Sequence, residues 1–307
     1  MNQQPKYRIY PSLLDKFQDL LDYETVAEER WNLVSNAAKK RGEFADREVG
    51  DYKLTPDEMY AKIECELINT INRCPKEPSE AADKGTAFNE IVDCLIENRR
   101  SSNPEVDIQT VERTPGHKVI RARINSFVFD FDIDFCRRVA ADFAGSLTQF
   151  CVDALMPTSF GPVNLYGFID EWVGSEITDI KTTSSYEWGK FERKWQRHLY
   201  PWAVVESGQA TEITQFTYYA LEWSNRKGEP LIARGPYRET YSYDHAQSGQ
   251  LLCDHIEQFI TWLEFRKAYI TDRRIFGGVN PDGYQGVPIT PADLAARENQ
   301  PKTETSN

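Results

Sequence analysis

The sequence predicts an α/β or α+β fold, with a central mixed β-sheet that is flanked by helices and preceded by a helical region. Two observations support this prediction. Apolar residues repeat at intervals of three and four in the first hundred or so residues, and the interval changes to two after Val106. Segments of both kinds then alternate through most of the remaining chain. The chain has 307 residues and is 40% hydrophobic, so it can bury a sizeable core.

Helices dominate the N-terminal part. Thr55-Pro56 is typical of a helix start. The segment "GTAFNEIVDCLIENRR" places Phe88, Ile91 and Leu95 on one face of a helix. The predicted helices of this part span 11–41, 55–71 and 85–100.

Strands alternate with helices in the rest of the chain. The segment "KVIRARINSFVFDFDID" alternates as a strand pair does and predicts a β-ribbon. The other predicted strands span 148–156, 163–173, 176–182, 213–223 and 231–242. The other predicted helices span 135–145, 186–206 and 244–270.

These elements suggest a division into three parts. An N-terminal helical region covers 1–80, and the core covers 81–275 with the β-ribbon inserted at 106–135. The segment 276–307 is rich in Gly, Pro and polar residues, so it is expected to be a flexible C-terminal tail.

Composition narrows the class of protein. The N-terminus lacks a basic start followed by an apolar run, and no apolar stretch is long enough to cross a bilayer, so a cytoplasmic protein without membrane contact is expected. A net charge of −12 argues against coating nucleic acid by bulk attraction, but it leaves room for an enzyme with a local basic track. Cysteines and histidines show no zinc-like spacing, and Cys253 and His255 are expected to pack on a helix.

The charged residues best suited to catalysis lie in the segment "YGFIDEWVGSEITDIKTT". This segment predicts two strands joined at Gly174-Ser175. Period two puts Asp179 and Lys181 on one face and Ile180 on the other. If the strands pair, Asp170 and Asp179 meet near one end of the hairpin. Two close carboxylates repel each other, and a divalent cation such as Mg²⁺ or Mn²⁺ removes that penalty. Lys181 could then help to activate water for phosphodiester hydrolysis.

A plainer interpretation of this motif is a surface salt bridge on a strand. Acid-x-Lys triplets are common, and this chain also contains Asp51-Tyr52-Lys53 and Glu192-Arg193-Lys194. Those two are expected in a loop and on a helix. Only Asp179-Ile180-Lys181 follows a Gly-x-x-Asp strand, and that context favours a functional site.

The predicted helix at 186–206 carries an apolar stripe of Trp188, Phe191, Trp195, Leu199 and Trp202 that is expected to dock on the sheet. Gln196 and Tyr200 are four apart and lie along its edge. Basic side chains surround them and could contact a phosphate backbone; they are Arg193, Lys194, Arg197 and His198. A solvated basic face beside a buried tyrosine is the alternative interpretation.

Four segments, "GTAFNEIVD", "YGFIDEW", "ITDIKTTSSYEW" and "QRHLYPWA", together resemble the RecB-like branch of the PD-(D/E)XK nuclease superfamily. The resemblance covers about residues 80 to 205. It implies a restriction-endonuclease-like core and DNA cleavage that depends on Mg²⁺ or Mn²⁺. It also implies that Asp170, Asp179 and the Ile180 carbonyl bind metal, that Lys181 is catalytic, and that Gln196 and Tyr200 complete the active site.

The chain departs from the pattern of these relatives at one metal position. Asn89 stands where relatives usually carry His or Glu, and its amide oxygen is a weaker, neutral ligand. Glu90 could substitute, although it lies about 100° further round the helix. Many relatives also hold an iron–sulfur cluster with three cysteines near the C-terminus. Here only Cys253 lies beyond Cys151, so no cluster is expected.

The expected function is therefore a metal-dependent deoxyribonuclease, of the stand-alone phage exonuclease type, that acts in DNA recombination or repair. Its partners would be DNA and a recombination or single-strand-annealing protein, and an oligomer is compatible with the sequence. The alternative is an inactive DNA-binding or assembly subunit that keeps the nuclease fold, for which Asn89 is the best support. An RNA-directed nuclease would use the same site chemistry.

Overall fold

The computed structural model describes residues 4–43, 55–224 and 228–298, and it confirms the predicted mixed α/β class. The predicted triplet Asp51-Tyr52-Lys53 and residues 299–307 of the predicted tail lie outside these ranges. The elements are, in chain order, β1 (Tyr7–Ile9), α1 (Pro11–Leu21), α2 (Tyr23–Arg41), α3 (Pro56–Ile71), α4 (Glu80–Ile96), β2 (Asp107–Thr114), β3 (His117–Ile124), β4 (Phe127–Asp132), α5 (Ile133–Asp142), β5 (Leu147–Met156), β6 (Val163–Val173), β7 (Glu176–Thr183), α6 (Gln196–Glu206), β8 (Gln215–Ser224), β9 (Ile232–Ser242), α7 (His245–Phe265) and α8 (Pro291–Glu298).

The chain forms two compact units, each assembled from segments that are separate in the sequence. Unit 1 combines 1–75, 157–163 and 254–307, and unit 2 combines 76–156 and 164–253. The helix predicted at 244–270 therefore contributes to both units instead of closing the core. No helix in the described ranges is long and apolar enough to span a membrane.

Unit 1 is mostly helical, and its contacts join α3 to residues that follow α7. Cys65, Ile68, Tyr269 and Leu294 form one buried cluster. Glu64 on α3 accepts hydrogen bonds from Arg266 at 2.8 and 3.0 Å. Within the predicted tail, α8 buries Leu294 in this cluster, against Cys65 and Ile68 of α3.

Unit 2 contains a mixed sheet in which β6 pairs with both β5 and β7. The β6–β7 pair is antiparallel, β7–β8 is parallel and β8–β9 is antiparallel. The predicted β-ribbon is a separate antiparallel sheet of β2, β3 and β4.

One buried cluster fixes α4 against the sheet of unit 2. Phe88 of α4 stacks on Phe135 of α5 with ring centroids 5.5 Å apart. Ile180 of β7 and Tyr219 of β8 belong to the same cluster. The polar side of α4 is thereby held near the point where β6 and β7 separate.

Several predicted helices have different bounds in the structure: the helix expected at 85–100 spans Glu80–Ile96, and the helix expected at 244–270 ends at Phe265. The helix expected at 11–41 divides at Asp22 into α1 and α2. The helix expected at 186–206 begins only at Gln196, since Gly189 adopts a φ of +82° and its N–H donates to the buried Glu239 of β9. Trp188 is consequently 73% exposed and does not belong to a docked apolar stripe.

Candidate active site

The candidate site lies where β6 and β7 stop pairing. Their ladder runs from Val173 and Glu176 to Glu171 and Thr178. Asp170 precedes Glu171, the last residue of β6 that pairs with β7. Its side chain replaces the backbone as the acceptor, since Oδ2 accepts the Ile180 N–H at 2.9 Å. The hairpin therefore brings Asp170 beside the Asp179-Ile180-Lys181 segment, as the turn at Gly174-Ser175 suggested.

Asp179 is almost fully buried, at 2% exposure, and it is contacted from two sides. Gln196, the first residue of α6, donates from Nε2 to Asp179 Oδ1 at 2.6 Å. Lys181 Nζ lies 2.6 Å from Asp179 Oδ2, within ion-pair distance but without the angles of a hydrogen bond. These contacts offset part of the cost of burying the carboxylate.

The Asp170 carboxyl is in a less favourable environment. Burial is the largest cause that raises its pKa, and the negative charge of Asp179 is the second. Lys181 and the Ile180 amide act in the opposite direction without cancelling the effect. A positive charge between the two carboxylates would stabilise their ionised forms.

Helix α4 brings Asn89 to the same place because Gly85 permits a close approach. A Cβ at position 85 would lie 3.0 Å from Thr182 Oγ1 of β7. One turn later, Asn89 Oδ1 is buried and has no hydrogen-bond partner. A buried amide oxygen without a donor is costly, and a hard cation is one partner that would satisfy it.

Glu90, the other candidate on this helix, is engaged elsewhere. Its Oε1 lies 2.7 Å from Arg99 Nη1 and accepts the Ser102 N–H at 2.7 Å. Although burial alone would raise the pKa of Glu90, these contacts hold it below the usual range. Glu90 therefore anchors the loop after α4, and the structure gives no support for it as a substitute for Asn89.

Asp93 is a residue of this site that the sequence analysis missed. It is 2% exposed and lines the same cleft as Asn89 and Asp170. Burial, followed by the charge of Glu90, raises the pKa of Asp93 to about 7. The available signal was its position four residues after Asn89, on the same helix face.

The cleft itself has a volume of about 530 Å³. It opens within unit 2 beside Asp170, and Gln149 Nε2 reaches Asp170 Oδ1 at 3.4 Å. The side chains that line it are mostly polar; they are Thr86, Asn89, Glu90, Asp93, Ser102, Asn103, Gln149, Phe168 and Asp170.

The remaining predicted residues form two groups: those on α6 pack against neighbouring elements, and those before α6 are more exposed. Tyr200 is buried at 5% exposure. Arg197 stacks over Tyr241 at 4.6 Å, and His198 Nδ1 lies 3.1 Å from Ser248 Oγ, so both pack against neighbouring elements. Arg193 is exposed and Lys194 is half-buried, and both precede the helix.

The residues present fit a hard divalent cation. Asp170 and Asp179 supply two carboxylates, Asn89 supplies an unpartnered oxygen, and the Ile180 carbonyl follows Asp179 directly. Within the described ranges no three side chains from His, Cys, Asp and Glu form a metal-binding group. A cation here would therefore depend on neutral oxygens, water and substrate as well, which is usual for Mg²⁺.

Comparison with known proteins gives little further information. No family model matches the chain, and no curated protein matches it. The solved structure described as "Crystal structure of SSO0001" aligns with 39% of this chain and 54% of that chain, at 15% identity and a TM-score of 0.27. The match spans about half the length of that structure, and at this TM-score it supports no conclusion about fold or function.

Proposed function

We propose that this protein is a metal-dependent deoxyribonuclease that hydrolyses DNA phosphodiester bonds. The observation that carries the proposal is the junction at which Asp170 accepts the Ile180 N–H while Asp179 is contacted by Lys181 and Gln196. A buried carboxylate, a half-buried carboxylate and an ammonium group held together have a chemical use if a cation and a phosphate lie between them.

The side chains have separate roles in this proposal. Asp170, Asp179, Asn89 and the Ile180 carbonyl would hold Mg²⁺ or Mn²⁺, and the cation would supply polarisation of a phosphoryl oxygen and easier ionisation of water. Lys181 assists proton removal from the attacking water and offsets charge on the phosphate. Gln196 fixes the orientation of Asp179 through its 2.6 Å hydrogen bond.

Contacts to the DNA backbone would come from outside this cluster. Arg193, which is exposed, and Lys194, which is half-buried, precede α6 and are the basic residues proposed for this role. Arg197 and His198 are less suited, because Arg197 stacks on Tyr241 and His198 contacts Ser248. A function in recombination or repair, together with a single-strand-annealing partner, is part of the same proposal.

The test is degradation of end-labelled linear DNA and closed circular DNA in Mg²⁺, Mn²⁺ or chelator. We expect metal-dependent loss of linear DNA by the wild type, loss of this activity in Lys181→Ala, and wild-type activity in Lys118→Ala, which changes an exposed lysine on β3. Sparing of the circle would identify an exonuclease. The same assay on RNA identifies an RNA-directed enzyme.

A second candidate is an inactive DNA-binding or assembly subunit, and Asn89 favours it because a neutral ligand holds a cation less tightly than a carboxylate. This candidate predicts that the wild type binds DNA yet cleaves neither DNA nor RNA with either metal. It also predicts that Asn89→Glu, which supplies the acid, gains metal-dependent cleavage. Cleavage by the wild type would rule this candidate out.

A further inference from the structure

The cleft beside Asp170 has a lining that suits an uncharged, flat ligand, and we propose that it receives an unpaired nucleobase of the strand being cut. This inference rests on the proposed function, since it specifies the form of DNA that the same site takes. The volume of about 530 Å³ falls within the range of about 300–1,000 Å³ that is usual for ligand clefts.

The aromatic surface comes from Phe168. This side chain is 56% exposed although it belongs to the cleft lining. It lies two residues before Asp170 on β6, so the two side chains leave the same face of the strand. Every base has a π-face, and stacking on an aromatic ring at this position binds bases with little regard to sequence.

The rest of the lining can bond the edges of a base. Asn103 and Gln149 carry amide groups, each with donors and an acceptor, and Thr86 and Ser102 carry hydroxyl groups. A single exposed phenylalanine would have no special meaning on a protein surface. Its combination with hydrogen-bonding groups in one cleft is what indicates a base.

Charge determines which part of the nucleotide enters the cleft. Glu90, Asp93 and Asp170 all contribute carboxylates to the lining. Arg99 offsets the charge of Glu90, and the remaining negative charge disfavours a phosphate there except near a bound cation. The phosphate would therefore lie toward Asp170 and Asp179, with its neighbouring base in the cleft.

This orientation predicts a preference for unpaired DNA. In a duplex the faces and the Watson–Crick edge of a base are already occupied, and extruding the base costs unstacking and unpairing energy. Single strands and frayed ends avoid that cost. We expect a single strand to be bound more tightly than a blunt duplex of the same sequence.

The experiment uses oligonucleotides that carry 2-aminopurine, a base whose fluorescence falls on stacking, in single-stranded and blunt duplex form. Binding is measured in Mg²⁺ on the Lys181→Ala background, and cleavage is measured on the wild-type background. Phe168→Ala should abolish the fluorescence decrease and weaken single-strand binding about tenfold, with a similar rise in KM and a smaller change in kcat. Phe168→Tyr should retain wild-type behaviour. Phe265→Ala is the control, because Phe265 is 78% exposed and outside the site.

The outcomes separate this inference from the proposed function. If the wild type cleaves DNA and Phe168→Ala binds and cleaves as the wild type does, the base site is wrong and the nuclease proposal stands. If the wild type cleaves nothing but binds single strands through Phe168, the base site stands and the nuclease proposal fails. Absence of single-strand binding by the wild type overturns the base site directly.

Discussion

At the scale of single residues, neighbouring acids on α4 have different roles. Glu90 and Asp93 both lie near Asn89, yet Arg99 and the Ser102 amide engage only Glu90 closely. Arg99 Nη2 comes no nearer than 3.9 Å to Asp93. The distinction depends on a loop that closes over one side of the helix, so the sequence motif alone did not predict it.

Replacing Asp170 by Asn should stabilise the metal-free protein while removing its metal response. Asn keeps an oxygen for the Ile180 N–H and eliminates the repulsion from Asp179. Because the folded-state pKa of Asp170 is raised, its favourable contribution is present near pH 4 and is lost as pH rises toward neutrality. The free energy of unfolding of Asp170→Asn should therefore exceed that of the wild type increasingly as pH rises, by about 1 kcal/mol or more at pH 8.

Urea unfolding at pH 5 and pH 8, with and without Mg²⁺, measures this effect. Mg²⁺ should stabilise the wild type and leave Asp170→Asn unchanged. Asp153→Asn is the matched control, because Asp153 on β5 is also hydrogen-bonded, to Asn164, but lies outside the cleft lining. Equal stabilisation of wild type and Asp170→Asn by Mg²⁺ would show that the cation binds elsewhere.

At the scale of elements, the approach of α4 to β7 sets the position of Asn89. Gly85→Ala adds a methyl group 3.0 Å from Thr182 Oγ1, so either the Thr182 side chain or the helix must move by a few tenths of an ångström. Alanine also favours a helix interior over glycine by about 1 kcal/mol, which offsets the strain. We expect little change in stability and a clear loss of Mg²⁺ affinity.

A double-mutant cycle with Thr182→Ala tests this interpretation. Removing Oγ1 gives the new methyl group room, so the double variant should recover Mg²⁺ affinity in calorimetry relative to Gly85→Ala. Additive losses in the two single variants would mean that the contact does not position Asn89.

The sequence predicted elements best where local chemistry determines them. The β6–β7 hairpin follows from strand periodicity and the turn at Gly174-Ser175, and α4 follows from its apolar face. The start of α6 was predicted ten residues too early because its cause is distant: Tyr186 Oη and the Gly189 N–H donate to Glu239, on a strand about fifty residues later. The apolar periodicity of 186–195 gives no information about Glu239, so it could not predict this helix start.

At the scale of the whole molecule, the division into units could not be read from chain order. Unit 1 is held together by pairs such as Glu64 with Arg266 and Asn72 with Tyr269, which are 202 and 197 residues apart. Neither partner is unusual in its own segment. Leu294 of α8 is buried in the same way with Cys65 and Ile68 of α3, a contact that the composition of the predicted tail does not indicate.

The stability of unit 1 should depend on pH through His255, which is 4% exposed and whose Nε2 donates to the Leu14 carbonyl at 3.2 Å. Burial lowers the pKa of His255 from 6.5 to about 4. Between these values the unfolded chain binds a proton that the folded chain does not, so the free energy of unfolding falls as pH drops from 6.5, by about 3 kcal/mol at pH 4. His255→Gln keeps a donor but cannot titrate, and subtracting its urea-unfolding profile from that of the wild type isolates the effect.

His117→Gln, in an exposed position on β3, should retain the wild-type slope. Parallel profiles for the wild type and His255→Gln would show that His255 is protonated as readily in the folded protein as in the unfolded chain.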